Sequence, residues 1–262
     1  MLTEKTFDTG EVLINYAEGP ASGPPLLLLH GLSSRWQSFL ALIPVLAMRW
    51  RVFALDLRGH GLSGHVAHRY TLEDYVRDVM LFMDRRLDGE AALYGHSLGG
   101  MVGIMIAARR PLRALVIGDS PLYRDTIQTM YPPSTKPNPM QQLVRSERNV
   151  VRLSATLRNM LPDRDPMFYR YHAKSCSLLD PDVLVPLPAI LDGYDCEALF
   201  PQIHCPVLIL KADHITQGDA DRAQSQLADA TVVSFDGVGH ELQNGPRGYA
   251  VTLAVAKFLE SL

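Results

Sequence analysis

The stretch Leu93-Tyr94-Gly95-His96-Ser97-Leu98-Gly99-Gly100 decides the fold. It begins in a short apolar run, Ala91-Ala92-Leu93-Tyr94, and leads into residues 98–109, which are rich in small side chains. The run predicts a strand buried on both faces and the small-residue stretch predicts a helix, so the chain must turn sharply between them. A serine at the apex of that turn takes a strained backbone conformation and exposes its oxygen. Helix and strand approach closely there, so the positions two before and two after the serine must be tiny, and both are glycine. The helix N-terminus beside it offers unpaired N–H groups that favour negative charge. Ser97 is therefore the candidate nucleophile. Gly95 and Gly99 could serve a tight turn alone, and the companion motifs below weigh against that. A phosphate-cradling loop fits less well, because no Gly-Lys-Ser/Thr follows and the spacing is not GxGxxG.

Outward from this segment, apolar runs alternate with amphipathic ones. Leu26–Leu29, Arg51–Leu55, Leu112–Gly118, Val207–Leu210 and Thr231–Phe235 read as strands. Residues 36–48, 71–87, 219–228 and 246–261 read as helices, and residues 2–17 as two short strands joined at Thr9-Gly10. Such alternation predicts an α/β fold, a mostly parallel sheet flanked by helices. The stretch 121–200 interrupts it. It holds the proline-rich Tyr131–Pro139 and helix-like segments near 140–160 and 165–179, without a run resembling a buried parallel strand. About 80 residues far exceed an ordinary connection, so 121–200 is expected to be a helical cap (lid) inserted into a core of residues 1–120 and 201–262. A cap of that kind sits over the carboxyl ends of the strands, where ligands bind in open α/β sheets.

Composition excludes several classes. The 262 residues carry a net charge of −3, with 47% hydrophobic and 20% charged residues. No Lys/Arg-rich block points to nucleic acid, and nothing favours a membrane surface. The three cysteines, Cys176, Cys196 and Cys205, lack zinc-ligand spacing, and an odd number cannot form a complete disulfide framework. The polar start Met1–Asp8 lacks the apolar core of a signal peptide, so a cytoplasmic location is expected.

A serine needs a base, and acyl transfer needs donors aimed at the developing oxyanion. Among nine histidines, His240 in Asp236-Gly237-Val238-Gly239-His240-Glu241 follows a strand and precedes the last helix, where a loop brings an imidazole over the sheet's carboxyl edge. His96 points sideways from the elbow, and His60 lies in another glycine-rich loop; His65, His68, His172, His204 and His214 read as surface or packing residues. One oxyanion donor is the N–H of Leu98. The other is the N–H of Leu32, in His30-Gly31-Leu32-Ser33 after the Leu26–Leu29 strand. His30 reads as structural, bonding the loop that follows. The acid that orients the base has two positions open to it: Asp119, ending the Leu112–Gly118 strand, and Asp213, following Val207–Leu210.

With these motifs in order, the sequence resembles the α/β-hydrolase superfamily. The resemblance rests on His30-Gly31, Asp56-Leu-Arg-Gly-His-Gly-Leu-Ser63, Gly95-His-Ser-Leu-Gly99 and Gly239-His240, and it spans nearly the whole chain outside 121–200. It implies the α/β-hydrolase fold with the nucleophile first and the histidine last, a structural role for the Asp56–Ser63 loop, and a chemistry close to small-molecule carboxylesterases and carbon–carbon bond hydrolases. The chain departs from the usual pattern after Val207–Leu210: Ala212 stands near the customary glycine, and three residues on is Ile215. A minority of relatives, haloalkane dehalogenases among them, carry the acid at the end of the preceding core strand. Asp119 is therefore the favoured acid and Asp213 the alternative. Dehalogenation itself is disfavoured, because those enzymes use an aspartate nucleophile.

The expectation is a serine hydrolase acting on an ester-type bond of a small, mostly apolar molecule, with no metal and no organic cofactor. Tyr123, Met130, Tyr131, Phe168, Tyr169 and Tyr171 are expected to shape the pocket. The alternatives are carbon–carbon hydrolysis, acyl transfer or cofactor-free perhydrolysis on the same residues, and a non-catalytic ligand receptor.

Overall fold

The computed structural model describes residues 2–20, 22–132, 138–162, 164–244 and 248–262. Its strands are β1 (Thr3–Asp8), β2 (Leu13–Gly19), β3 (Pro25–Leu29), β4 (Arg51–Leu55), β5 (Ala92–His96), β6 (Ala114–Gly118), β7 (Val207–Lys211) and β8 (Ala230–Ser234). They form one eight-stranded sheet in the order β1-β2-β4-β3-β5-β6-β7-β8. The pairs β1–β2 and β2–β4 are antiparallel, and every later pair is parallel. The helices are α1 (Ile43–Leu46), α2 (Leu72–Arg86), α3 (Leu98–Ala107), α4 (Arg124–Met130), α5 (Pro139–Ser146), α6 (Val150–Met160), α7 (Pro166–Leu178), α8 (Leu187–Gly193), α9 (Gln217–Gln226) and α10 (Gly248–Glu260). None of them is long and apolar enough to cross a membrane.

The uniformly apolar β3 follows from its position between β4 and β5. Successive strand side chains point to opposite faces, so a strand covered on both sides must be apolar throughout. Leu26 and Leu28 join one apolar layer with Phe39, Leu46 and Val255. Leu27 and Leu29 join the other, with Val79, Phe82 and Met101. Residues 36–48 are not the single helix that their pattern predicts. A 3-10 turn at Trp36–Phe39 precedes the short α1, which carries Pro44 in its first turn. Proline has no N–H and clashes with the preceding turn, so a helix begins at Pro44 and cannot run through it.

Between β6 and β7 lie α4 to α8 and, among the described residues, no strand. Residues 133–137 of the proline-rich stretch fall outside the described residues. Val144, Leu153, Leu157 and Tyr169 from this segment pack in the same apolar cluster as Leu27 and Leu29, so the segment shares a core with one face of the sheet. It also touches loops at the carboxyl edge. The Tyr171 hydroxyl lies 2.7 Å from Ser34 Oγ, in the loop after β3, and Asp180 N–H donates to Gly59 O (2.8 Å), in the loop after β4.

The loop Asp56–Ser63 is buried except at Leu62, and it is internally bonded. Asp56 accepts from Trp36 N, Leu62 N and Asn15 Nδ2 at 2.7 to 2.9 Å. Arg58, fully buried, donates through Nε and Nη2 to the two oxygens of Asp78 on α2, each at 2.6 Å. A guanidinium fork matched to a carboxylate satisfies both charges where water cannot. These contacts hold the β4–α2 connection beneath the segment α4–α8.

Candidate active site

Ser97 sits between β5 and α3 with φ 51° and ψ −117°, a conformation few side-chain-bearing residues adopt. The turn is held from both sides: Ser97 N–H donates to Gly118 O (2.9 Å), and Gly100 N–H donates to Ser97 O (2.9 Å). The flanking glycines answer a steric demand. A Cβ on Gly95 would overlap the carbonyl of Gly99, and one on Gly99 would overlap the carbonyl of Leu29.

The loop after β3 reaches this serine. A Cβ on Gly31 would lie 3.0 Å from Ser97 Cβ and 2.9 Å from His96 Nδ1. His30 is buried and bridges two backbones: Leu57 N–H donates to its Nε2 (3.0 Å), and its Nδ1 lies 2.7 Å from Gly31 O. The first contact makes Nε2 an acceptor, so Nδ1 carries the proton and donates. Burial pushes His30 down to about 4, in keeping with a neutral ring. In a trans peptide the C=O and N–H point opposite ways. Tying the Gly31 carbonyl back to His30 and to Ser34 N–H (3.2 Å) therefore turns the Leu32 N–H away from them. Leu98 is the first residue of α3, where an N–H has no partner within the helix.

His240 Nδ1 lies 2.8 Å from Asp119 Oδ2. The carboxylate can only accept, so Nδ1 carries the proton, which in the neutral ring leaves the lone pair on Nε2. Asp119 itself has φ 42° and is fully buried. Its oxygens also accept from Ala212 N–H (2.8 Å) and His214 N–H (3.0 Å). Burial alone raises a carboxyl pKa, but the hydrogen bond and charge of His240, aided by His214 and the Ala212 N–H, outweigh it and hold Asp119 below the usual carboxylate range. Asp213, the other aspartate the sequence left open, is exposed and makes no bond to His240. The turn after β7 thus serves the site through its backbone N–H groups, which grip the carboxylate arriving from β6.

Two further imidazoles flank His240. His96 Nε2 lies 2.8 Å from His240 O, with ring centroids 4.7 Å apart. His214 stacks on His240 with centroids 3.5 Å apart and an interplanar angle of 28°. Sequence reading passed over His214 as a packing residue; its place at the carboxyl end of a strand, beside Asp213, was the signal available. Among the described residues the Ser97 hydroxyl makes no hydrogen bond to His240. Contacts between a nucleophile and its base are commonly loose until substrate binds.

Asp119, His214 and His240 have ligand-type atoms within 4.8 Å of one another. Ring lone pairs lie in the ring planes, and stacked rings set them side by side instead of converging on one point. Asp119 is already bonded to His240 Nδ1. The trio fits a hydrogen-bonded cluster better than a metal cage.

The aromatic residues of 121–200 divide by role. Tyr123 and Tyr169 are buried and bond Gln226 and the Leu161 carbonyl, so they pack the fold. Phe168 packs on His172 (4.1 Å). Tyr171 contacts the Ser34 hydroxyl and the backbone N–H and C=O of Arg35. Tyr131 places its hydroxyl 3.0 Å from His214 Nε2. It also lines a cavity of about 930 Å³ with Ile127, Pro132, Leu184, Leu187 and Leu191. Met130 is half-buried at the end of α4.

A family model described as Alpha/beta hydrolase family matches residues 26–251. The chain is 40% identical over 99 residues to a magnesium-chelatase 30 kDa subunit of Rhodobacter capsulatus, covering 37% of this chain and 35% of that one. It is 36% identical over 121 residues to a 2-(acetamidomethylene)succinate hydrolase of Mesorhizobium japonicum, covering 45% of this chain and 43% of that one. The matched stretches thus span less than half the length of these curated relatives. The crystal structure of an E-2-(acetamidomethylene)succinate hydrolase superposes with a TM-score of 0.83 over 99% of this chain and 100% of that one, at 22% identity, a likeness of fold.

Proposed function

Since this chain belongs to the alpha/beta hydrolase family, we propose that it is a serine hydrolase that cleaves an ester-type bond of a small, mostly apolar molecule through an acyl-enzyme on Ser97. The observation that carries this reading is the 2.8 Å bond from His240 Nδ1 to Asp119, formed beside a serine held at φ 51° on a strand–helix elbow.

In the proposed reaction His240 Nε2 takes the Ser97 proton as Oγ attacks the carbonyl carbon. Asp119 steadies the resulting imidazolium without itself being protonated. The tetrahedral oxyanion accepts hydrogen bonds from the N–H groups of Leu32 and Leu98; each such donor is worth about 3 kcal/mol of transition-state stabilisation. His240 returns its proton to the leaving alcohol as the C–O bond breaks. A water molecule, deprotonated by His240, then attacks the acyl-enzyme; the acid departs and Ser97 regains its proton. The helical segment α4 to α8 acts as a cap over this chemistry, and the cavity beside Tyr131, lined by neither Ser97 nor His240, lies within that segment rather than at the reacting atoms.

The test is Ser97→Ala assayed with short p-nitrophenyl esters and a fluorophosphonate probe. The variant is expected to lose about 10⁶-fold in kcat and all labelling while keeping its fold. Retained turnover defeats the reading, and failure of the folded wild type to label favours a ligand-binding protein instead.

One relative favours a second reading. By its name, the 2-(acetamidomethylene)succinate hydrolase acts on a compound bearing an acetamido group, not an ester. Another reaction on the same residues, including carbon–carbon cleavage, acyl transfer or perhydrolysis, follows if esters are inert while a vinylogous diketone or peroxide is consumed.

A further inference from the structure

We propose that His214 is a positioning residue for His240, and that Tyr131 of the cap holds His214 in that role, so that the cap bears directly on the catalytic base. The inference rests on the reading of His240 as the base.

The geometry is specific. The His214 ring covers one face of the His240 ring at 3.5 Å between centroids, and His96 lies 4.7 Å away. His214 is anchored twice. Its backbone N–H donates to both oxygens of Asp119, each at 3.0 Å, so ring and backbone address the two partners of one hydrogen bond. Its side chain faces the Tyr131 hydroxyl, with Nε2 3.0 Å away and the rings edge-to-face at 87°. Tyr131 follows directly on α4, so this chain of contacts runs from cap to base without a gap.

Such a stack has a chemical consequence. As the proposed base, His240 takes up a proton in the reacting complex, so groups that favour its charged form act on the transition state. An aromatic face against a cation supplies that preference. Burial and the neighbouring His240 push His214 down to about 4, and burial lowers His96 as well, in keeping with neutral rings beside the developing charge. The stack also fixes the plane of the His240 ring, which Asp119 alone leaves free to pivot about the Nδ1–H bond.

The experiment compares His214→Ala, His214→Phe, Tyr131→Phe and the double variant Tyr131→Phe/His214→Phe in p-nitrophenyl ester turnover. Each is also examined by proton NMR of the downfield His240 Nδ1–H resonance. His214→Ala is expected to lower kcat about tenfold, the size of a mispositioned base rather than a missing one, with little change in KM, and to broaden the resonance. Phenylalanine keeps the stacked face and is expected to recover most of kcat and a sharp resonance. Tyr131→Phe is expected to lower kcat two- to threefold in the parent and not at all in the His214→Phe background, because its effect passes through His214. An unchanged kcat and resonance in His214→Ala overturns the proposal, as does a His214→Phe variant as impaired as alanine. If His214→Ala does not fold, the phenylalanine pair alone decides through its coupling. A wild type inert toward esters and probe defeats the acyl-enzyme reading, and the resonance then still reports the positioning.

Discussion

His240 and Asp119 are separated by 121 residues in sequence and by 2.8 Å in space, Nδ1 to Oδ2. The exposed Asp213, much nearer in sequence, takes no part in this bond. If the bond orients the base, Asp119→Asn is expected to lower kcat about 10⁴-fold, since an amide supports the wrong imidazole tautomer. Asp213→Asn is expected to stay within a few-fold of the parent. Steady-state ester kinetics on the two variants decide between them; the reverse pattern returns the role to Asp213.

The elbow glycines predict a stability effect separate from chemistry. A methyl group on Gly95 or Gly99 meets backbone carbonyls, which cannot move aside as a flexible side chain can. Gly99→Ala is expected to cost about 3 kcal/mol or more, in the range of severe overpacking, read as a fall in the urea midpoint. A midpoint equal to the parent's means that the helix–strand approach is looser than described.

Arg58 and Asp78 form a doubly bonded pair in the core. Asp78→Ala removes both bonds and leaves the buried Arg58 with only Glu11 (2.8 Å) and the Arg69 carbonyl (3.0 Å), so it is expected to destabilise by about 3 kcal/mol. The double change Arg58→Met/Asp78→Leu is expected to cost less than the single one, because no lone charge stays buried. Chemical denaturation of the three proteins checks the order; a double variant less stable than Asp78→Ala contradicts it.

Acid should unfold the chain well above the carboxylate range. Burial pushes His30 down to about 4 and His60 to about 3, against 6.5 for a free imidazole. The folded state therefore refuses protons that the unfolded state accepts below pH 6.5. Stability from these two residues is complete above that pH and falls as pH drops toward 4, by about 1.4 kcal/mol per pH unit for each histidine. Unfolding free energies at pH 6 and pH 5 give the measure, and a flat profile across that interval argues that the rings are solvated or charged in the fold.

Much of the fold was legible because its signals are local. The uninterrupted Leu26–Leu29, the glycines two either side of Ser97, and the apolar periodicity within 71–87 each express a constraint set within a few residues. Such constraints act on the chain before any distant part arrives, and the alternation of strands with helices and the elbow follow from them. Pro44 was an equally local signal, and it divides what the periodicity alone read as one helix. The pairing inside the site is of another kind. Asp119 and Asp213 each follow a parallel strand, and the local spacing at Ala212 and Ile215 favoured Asp119 without fixing which carboxylate turns inward. That depends on β6 and β7 lying side by side, so that the N–H groups of Ala212 and His214 close over the Asp119 carboxylate. The stack of His214 on His240 and the reach of Tyr131 from α4 are contacts across 26 and 83 residues, made only when the sheet and the α4–α8 segment are assembled. Residue types along the chain determined the scaffold and the turn at Ser97; the partners of His240 were decided by packing between distant segments, which brings together groups with no local reason to meet.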